Sequence, residues 1–596
     1  MKLGTFIGLG SALVLLFVLA LPIAPSAGIR QRGFAYNPPP FQGHLAPVSQ
    51  AVYLRYYLTN PDEAPPELKP AIEALREARD LGLSPESPDQ AMTLNQGVEF
   101  GQARFNMEGD STGLPQNEES VTSCPNNANE ILMGTNDFRG LLDLFGNLTG
   151  WHYSNNGSVV VKEGLLDEVA IGPTTVGSGG DPVVRAWPGF SGACSYYAAS
   201  IAIEFGADAD GIKASGIVGY ASDSAILNGS CSSSGCWPTE AVVASSTTDL
   251  LDKEWMDVGP DGAGGSAVWF TWTRFVGGLA STASPIEAAR CNSALTACSE
   301  PISISDPSAA GQFSYVTVAP DGRTYITWME FTGPTTLAIK LRVAPAGSTV
   351  FGPEVNVATE SRPLGFFVGS LAGNDFRVTS IPMNTVLSSS GTNRILVTWA
   401  RCTHPTISGV QFQPCRDSAI RVAYSDDDGA TISFQNVNAP GNQYFPSIDA
   451  DNDTGSIYLA WFSNERDPWN HRQQVILAHA PLGNLGSLSF TALNPAFLLG
   501  DVNCNLGVPD ILDALSLLQE IIDLAPGIPS ACPIDLNEPD ADPFLRGFFI
   551  GDYIEVSATA GTALVGYNAN YTQLNFLGTG PPTYQQDNYL AKFTNP

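Results

Sequence analysis

Two sequence elements recur in step along this chain, and no other feature restricts its fold as strongly. The first is a short β-rich run, in most copies ending in an aromatic residue. It occurs at Ser195–Ser200 (SYYAAS), Val268–Trp272 (VWFTW), Thr324–Trp328 (TYITW), Ile395–Trp399 (ILVTW), Ile457–Trp461 (IYLAW) and Ala563–Tyr567 (ALVGY). Turn residues often stand just before, as in Pro320-Asp321-Gly322 and Asp453-Thr454-Gly455, and suit a tight turn that feeds a strand. The second element is a strand, a small-polar turn and another strand. Its clearest copy is Ile420–Phe434 (IRVAYSDDDGATISF), with echoes at Trp151–Gly164, Ala241–Trp255, Ile286–Ile304, Ile339–Val355 and Val475–Phe490. Six of each predict six four-stranded blades, the long-period repeat of an all-β propeller. An irregular pair of β-sandwiches would not make both elements recur in step. Copies start about 55 to 75 residues apart, except the last gap, which exceeds 100.

Composition agrees with that class and narrows the partners. Charged residues are only 15% of the 596, while 59 Gly and 44 Pro suit many turns better than long surface helices. The formal net charge of −31 disfavours nucleic acid, because nothing so acidic attracts phosphate. Five histidines leave little room for a His-rich metal site.

Met1-Lys2, the apolar run Leu3–Ala24 and the exit Pro25-Ser26-Ala27-Gly28 describe an export signal over 1–27. The chain is therefore expected to be secreted, or envelope-associated if the segment stays uncleaved, with no other membrane contact. Ten cysteines in an exported chain predict disulfides. Cys231 lies near Cys236, Cys291 near Cys298, Cys402 near Cys415 and Cys504 near Cys532, which leaves Cys124 for Cys194 by elimination. Zinc would need clustered thiolates with histidine or CxxC pairs, and the sequence has none. Residues 28–120 form an N-terminal extension. Within it Glu67–Leu81 carries Leu68, Ile72, Leu75 and Ala78 at helical spacing, predicting one helix that covers part of the domain after it.

The hairpin Ser425–Phe434 resembles the Asp-box of sialidase-like propellers. Ser425, Asp427, Gly429 and Thr431 fit its pattern, and the aromatic follows one place late as Phe434. Asn129-Glu130 with Asn136-Asp137, Asp252-Lys253-Glu254-Trp255, and Phe549-Ile550-Gly551-Asp552-Tyr553 are also similar to stretches of that superfamily. The resemblance covers roughly 124–596. It implies a sialidase-like fold with the Asp-box on an outer hairpin. In catalytic members it implies an arginine triad on a sialate carboxylate, a Tyr–Glu nucleophile pair and an Asp acid/base. The Arg-Ile-Pro motif expected for the first arginine is absent. Arg185, Arg362, Arg377, Arg401 and Arg466 are available, as are Asp552 and Tyr553 near ring closure, but no catalytic role is carried over to any of them.

The long last gap holds a different segment, 500–545. Gly500–Asp513 (GDVNCNLGVPDILD) leads into Ala514–Leu524, where Leu517, Leu518, Ile521 and Ile522 recur helically. Asp501, Asn503 and Asn505, then Asp510 and Asp513, supply oxygen ligands at positions that can wrap Ca²⁺. The segment resembles half of a dockerin, with Cys532–Asn537 like the start of a second half; Gly507 and Asp513 fall one position late. That resemblance implies calcium and a cohesin-like partner; the other reading is a helical insertion closed by Cys504 and Cys532. The expected layout is a propeller over 121–499, the insertion over 500–545 and closing strands over 546–596. The expected function is extracellular glycan or protein binding without catalysis. The alternatives are an exo-acting, sialidase-like glycoside hydrolase and a calcium-dependent scaffold component.

Overall fold

The computed structural model describes residues 50–80, 102–106, 114–493 and 550–594. Short stretches within them are left out: 65, 67, 144–145, 190–192, 207–211, 233–234, 279–280, 282, 334–335, 362–363, 365–370, 372–375, 406–414, 466–472 and 575–582. The described strands form seven four-stranded antiparallel sheets and one two-stranded ribbon, Val169–Ile171 with Thr174–Val176. The fold is a β-propeller. Blades 1 to 6 span 116–165, 183–246, 250–303, 311–360, 383–436 and 443–492. Blade 7 takes three strands from 555–594 and its outermost strand, Gln102–Asn106, from the other end of the chain. The propeller therefore begins at 102 rather than 121, and its first and last segments share a sheet.

Six blades were expected and seven are present. The six aromatic-ended runs are the second strands of blades 2 to 7. Blade 1 escapes that pattern because its second strand, Asn127–Asp137, puts Gly134 and Thr135 where the aromatic would come. A side chain at Gly134 has no room: a Cβ there would lie 2.9 Å from Pro182 Cβ. One expected hairpin, Ala241–Trp255, crosses a blade boundary instead, from the outer strand Thr239–Ser246 of blade 2 to the inner strand Leu250–Pro260 of blade 3.

Inner-strand side chains tie each blade to the next. Val184 N donates to Ser120 Oγ (3.0 Å), and Arg185 of the same strand meets Asp257 (3.4 Å). Val318 N donates to Asp257 Oδ2 (2.7 Å), and Asn384 Nδ2 donates to the Tyr315 carbonyl (3.0 Å). Thr385 Oγ1 donates to Asp449 Oδ1 (3.0 Å), and Val556 N donates to Ser447 Oγ (3.0 Å). Ser120 Oγ and Val121 N donate to Glu555 Oε2 (2.5 and 3.0 Å), which closes the ring. Among the described residues no strand of one blade pairs in the sheet of the next, and these contacts and the apolar layers between sheets hold the circle. Trp272, Trp328, Trp399 and Trp461 are fully buried in those layers, where each large ring supplies much of the packing.

Among the described residues the N-terminal extension holds two α-helices, Gln50–Thr59 and Lys69–Asp80, the second lying within the predicted Glu67–Leu81. Tyr57, Leu68, Ile72 and Leu75 join one apolar core with Phe138 and Leu141 of blade 1 and Ile203 of blade 2. Arg55 pairs with Glu204 (2.9 Å), and Arg79 donates to the Leu141 and Asp143 carbonyls (2.6 and 2.8 Å). The helices thus cap the loops between second and third strands on blades 1 and 2. In this up-and-down order those loops and the blade-to-blade connections share one face of the ring, and the tight hairpin turns share the other. The segment 500–545, with the calcium ligands expected in it, lies outside the described residues.

Four disulfides form as paired in the sequence analysis: Cys124–Cys194, Cys231–Cys236, Cys291–Cys298 and Cys402–Cys415. They fit an oxidising compartment. Among the described residues no helix is long and apolar enough to cross a membrane, and the apolar run at 3–24 lies outside them.

Candidate functional site at the propeller axis

The inner strands of blades 1, 3, 4 and 6 share a local irregularity near their loop-face ends. In blade 1 Asn117 pairs with Asn136 and Ser120 with Gly134, so Glu118 and Glu119 together face Thr135. The same two-against-one bulge sets Lys253 and Glu254 against Trp272, Phe313 and Ser314 against Trp328, and Phe445 and Pro446 against Trp461. The first bulge residue takes a left-handed backbone each time, with φ of 60° at Glu118, 52° at Lys253 and 50° at Phe313 and Phe445. Asp181 (54°) and Gly551 (96°) do so at the starts of blades 2 and 7. Such φ values are uncommon outside glycine, and bulges of this kind re-aim side chains. Here they gather a charged cluster at the axis.

Lys253 Nζ stands at its centre, 3.0 Å from Glu118 Oε1, 2.9 Å from Asp181 Oδ1 and 2.9 Å from Asp552 Oδ2. Arg377 grips Asp552 as a fork, Nε to Oδ1 at 2.7 Å and NH2 to Oδ2 at 2.5 Å. Asn136 Nδ2 donates to Glu118 Oε2 (2.6 Å), Asp181 N donates to Asn136 Oδ1 (2.7 Å), and Asp552 N donates to Glu118 Oε1 (3.0 Å). Glu118 is 0% exposed, Asp181 and Asp552 are 1% and Lys253 is 3%. Arg377, whose guanidinium closes the cluster from the segment before blade 5, is 8%.

The layer is acid-rich. Besides Glu118, Asp181 and Asp552 it holds Glu119, Asp252 and Glu254, buried with both carboxyl oxygens lacking a hydrogen-bond partner. Burial carries the Asp252 carboxyl up to about 7 against the pull of Lys253, and lifts Glu119 and Glu254 well above the ordinary range. Burial also outweighs Lys253 at Glu118 and Asp181, both of which are raised. Asp552 goes the other way: burial opposes its charge, but Arg377 and Lys253 together hold its carboxyl below the usual value. At Lys253 burial is overcome by Asp181, Asp552 and Glu118, so the ammonium keeps its proton. The cluster thus sets two cations against an acid surplus, in which burial disfavours the charged form of every carboxyl and only Asp552 is pulled below its ordinary value.

Beneath this layer Trp255 stacks on Tyr315 (ring centroids 4.3 Å apart) and meets Tyr553 edge-on (5.2 Å). Tyr553 OH donates to the Pro182 carbonyl (2.9 Å). Below the rings Arg185 pairs with Glu555 (2.7 Å), and burial carries Asp257 up to about 6 and Asp449 up to about 7. Among the described residues, side chains of different blades thus meet across the axis. The cavity left beside the cluster, lined by Asp181, Lys253, Glu254, Trp255, Tyr315 and Tyr553 among others, measures about 20 Å³, room for one water.

The residues singled out from sequence divide sharply. Asp252–Trp255, Asn136, Asp552 and Tyr553 converge on the axis, and Arg185 and Arg377 meet acids there. Asn129 and Glu130 do not; Glu130 accepts from Tyr153 in the body of blade 1, and Asp137 pairs with Arg139 (2.5 Å). Arg401 lies on the second strand of blade 5, while Arg362 and Arg466 lie outside the described residues. So do Asp501, Asn503, Asn505, Asp510 and Asp513. Sequence reasoning missed Glu118, Glu119 and Asp181; Asp181 stands just before the first strand of its blade, the place that Asp552 also holds, whereas Glu118 and Glu119 are the bulge within the first strand of blade 1. On the turn face the Asp-box adopts its expected geometry. Thr431 N and Oγ1 donate to Asp427 (2.8 and 2.7 Å), Gly429 N donates to Ser425 Oγ (2.8 Å), and Gly429 has a φ of 92°.

No protein-family model matches the chain, and no curated protein matches it in sequence. Solved structures align with it at low identity. A Hadza microbial sialidase is 10% identical over 74% of this chain and 73% of its own, with a TM-score of 0.36. An α-L-arabinofuranosidase from Fusarium graminearum is 9% identical over 63% and 95%, with a TM-score of 0.37. The endosialidase of phage phi92 is 8% identical over 83% and 70%, with a TM-score of 0.38. At that distance neither substrate nor mechanism transfers from them to this chain.

Proposed function

We propose that this is a secreted propeller that binds an extracellular glycan or protein, and that its axial charge cluster is a structural lock. One observation carries the reading: Glu118, Asp181 and Asp552 are sealed against Lys253 and Arg377 beside a cavity of about 20 Å³. Glycosidic cleavage uses two carboxyl groups about 5 to 9.5 Å apart on either side of a sugar, in a pocket of hundreds of Å³. Recognition then falls to the loop face, where the N-terminal helices pack.

A second reading, a glycoside hydrolase, draws on Asp252 and Glu254. They are unpartnered buried acids, Asp252 with a carboxyl near 7, and a protonated acid is what a leaving sugar oxygen requires. Incubating the secreted protein with a fluorogenic sialoside and a fluorogenic arabinofuranoside separates the two. The lock reading predicts no turnover of either, together with saturable binding on a glycan array. Turnover abolished by Asp252→Asn would overturn it.

Calcium binding by the loop at Asp501 and docking to a cohesin-like partner remain proposals. Calorimetry with Ca²⁺ on wild type and Asp501→Ala tests the first; equal binding by both would remove that loop from consideration.

A further inference from the structure

The turn face carries a second cavity, remote from the axial layer. It lies between blades 3 and 4, measures about 370 Å³, and is lined by Asp261, Ser266, Arg290, Asn292, Ser299 and Thr349 among others. That volume falls in the range of small-molecule sites, about 300 to 1,000 Å³.

Its walls are held in place. The Cys291–Cys298 disulfide closes one side. Asn292 Oδ1 accepts from Thr296 N (2.9 Å) and Ala297 N (3.3 Å), which fixes the loop inside that disulfide. Asp261 Oδ1 accepts from Ala263 N (2.7 Å) and Gly265 N (2.8 Å), so this oxygen is committed to its own turn. Arg290 and Ser299 are set side by side by two hydrogen bonds, Ser299 N to the Arg290 carbonyl (2.9 Å) and Arg290 N to Ser299 Oγ (3.1 Å).

Arg290 is the informative residue. Most described arginines face a carboxylate, from Arg55 on Glu204 to Arg421 on Glu360. In a chain of net charge −31 acids are plentiful, yet the half-buried Arg290 has none within ion-pair distance among the described residues. A guanidinium fork matches a carboxylate in two parallel hydrogen bonds. Around it stand the hydroxyls of Ser266, Ser299 and Thr349 and the second oxygen of Asp261, groups that exchange hydrogen bonds with sugar hydroxyls. The acidity of the chain as a whole repels polyanions, which leaves a singly charged ligand.

We propose that this pocket is a binding site for a carboxylate-bearing saccharide unit, a uronic acid residue, with Arg290 on the carboxylate. The proposal rests on the reading of the chain as a glycan binder and gives that reading a second place on the molecule. Titration of the full secreted chain with D-glucuronate, D-glucose and inorganic sulfate, followed by ligand-observed NMR, tests it. Wild type should bind glucuronate, with glucose weaker by about tenfold or more, as expected when one charged hydrogen-bonded pair is lost, and sulfate weaker because it makes none of the sugar-hydroxyl contacts. Arg290→Gln should lose glucuronate binding to the same extent with an unchanged melting temperature. Thr349→Tyr, which fills the pocket from another wall and leaves Arg290 in place, should lose it too. Equal glucuronate affinity in wild type and Arg290→Gln, or no binding by wild type, overturns the site. Sulfate binding as tight as glucuronate overturns the saccharide assignment. Glycan-array binding that survives Arg290→Gln, with glucuronate titration unaffected, would dismiss this pocket while leaving the general reading intact.

Discussion

Around one ring, left-handed backbone positions near the axis carry charge in blades 1, 2, 3 and 7 and aromatic rings in blades 4 and 6. Blades 1, 2, 3 and 7 place Glu118, Asp181, Lys253 and Asp552 at or beside the left-handed position, and blades 4 and 6 place Phe313 and Phe445 there. The backbone is nearly the same in each, with φ between 50° and 60° wherever the residue is not glycine. The halves meet where Lys253 Nζ stands 5.7 Å from the centre of the Phe313 ring. The strand pattern therefore fixes where the bulge goes, and side-chain chemistry decides what it does. Phe313 and Phe445 need only neighbouring apolar surface, whereas a buried charge needs a partner from another blade. The charged half is thus the part whose loss should be felt around the ring.

Lys253→Met breaks the comparison most severely. It leaves Glu118, Asp181 and Asp552 without their shared ammonium, and loss of one partner from a buried ion pair costs about 3 to 5 kcal/mol. Urea unfolding followed by tryptophan fluorescence should show that loss, while Phe445→Leu in the apolar half should cost less than about 1.5 kcal/mol. The layer between blades offers a second contrast. Trp328→Ala empties a fully buried site and should cost about 3 to 5 kcal/mol. Ser200→Ala, at the matching position of blade 2, removes a hydroxyl 2.7 Å from Thr149 Oγ1 and should cost about 1 kcal/mol.

The acid surplus sets the direction of the pH dependence. Asp252 and Asp449 titrate near 7 in the folded protein and Asp257 near 6, above their ordinary 3.8. Their stabilisation is complete below that ordinary value and is lost as pH rises through 6 to 7. Asp552, held low, contributes in the opposite sense and loses its stabilisation only on strong acidification. The melting temperature should therefore fall by several degrees between pH 5 and pH 8, and Asp252→Asn should flatten that slope. The smallest effect is expected on the turn face. Asp427→Ala removes the Asp-box acceptor from an exposed hairpin and should lower the melting temperature only slightly, without changing the axis.

Much of the architecture was legible because tryptophan marks the second strand of blades 3 to 6, and because close cysteine spacing announces local disulfides. Blade 1 was not, since Thr135 holds the place of the aromatic and Gly134 beside it has no room for a side chain. The axial cluster was legible in part. Asp252–Trp255 and Asp552-Tyr553 stood out by their resemblance to a superfamily, but the partners that give them meaning are far away in sequence. Glu118 lies 135 residues from Lys253, and Arg377 lies 175 from Asp552. Only ring closure brings them together, and no local pattern encodes that. Arg290 is ordinary in sequence and becomes informative only when the structure shows no acid within ion-pair distance of it among the described residues, Asp261 of the same pocket standing farther off.

The central claim is that the axial cluster holds the ring together and takes no part in recognition. It is tested most directly in Asp552→Asn, which keeps the shape of the side chain but removes the charge shared by Arg377 and Lys253. Melting temperature and glycan-array binding should be measured on the same preparation. The lock account predicts a melting temperature lower by several degrees with an unchanged binding profile below the transition. An unchanged melting temperature with binding or turnover lost would contradict it and make the cluster a functional site.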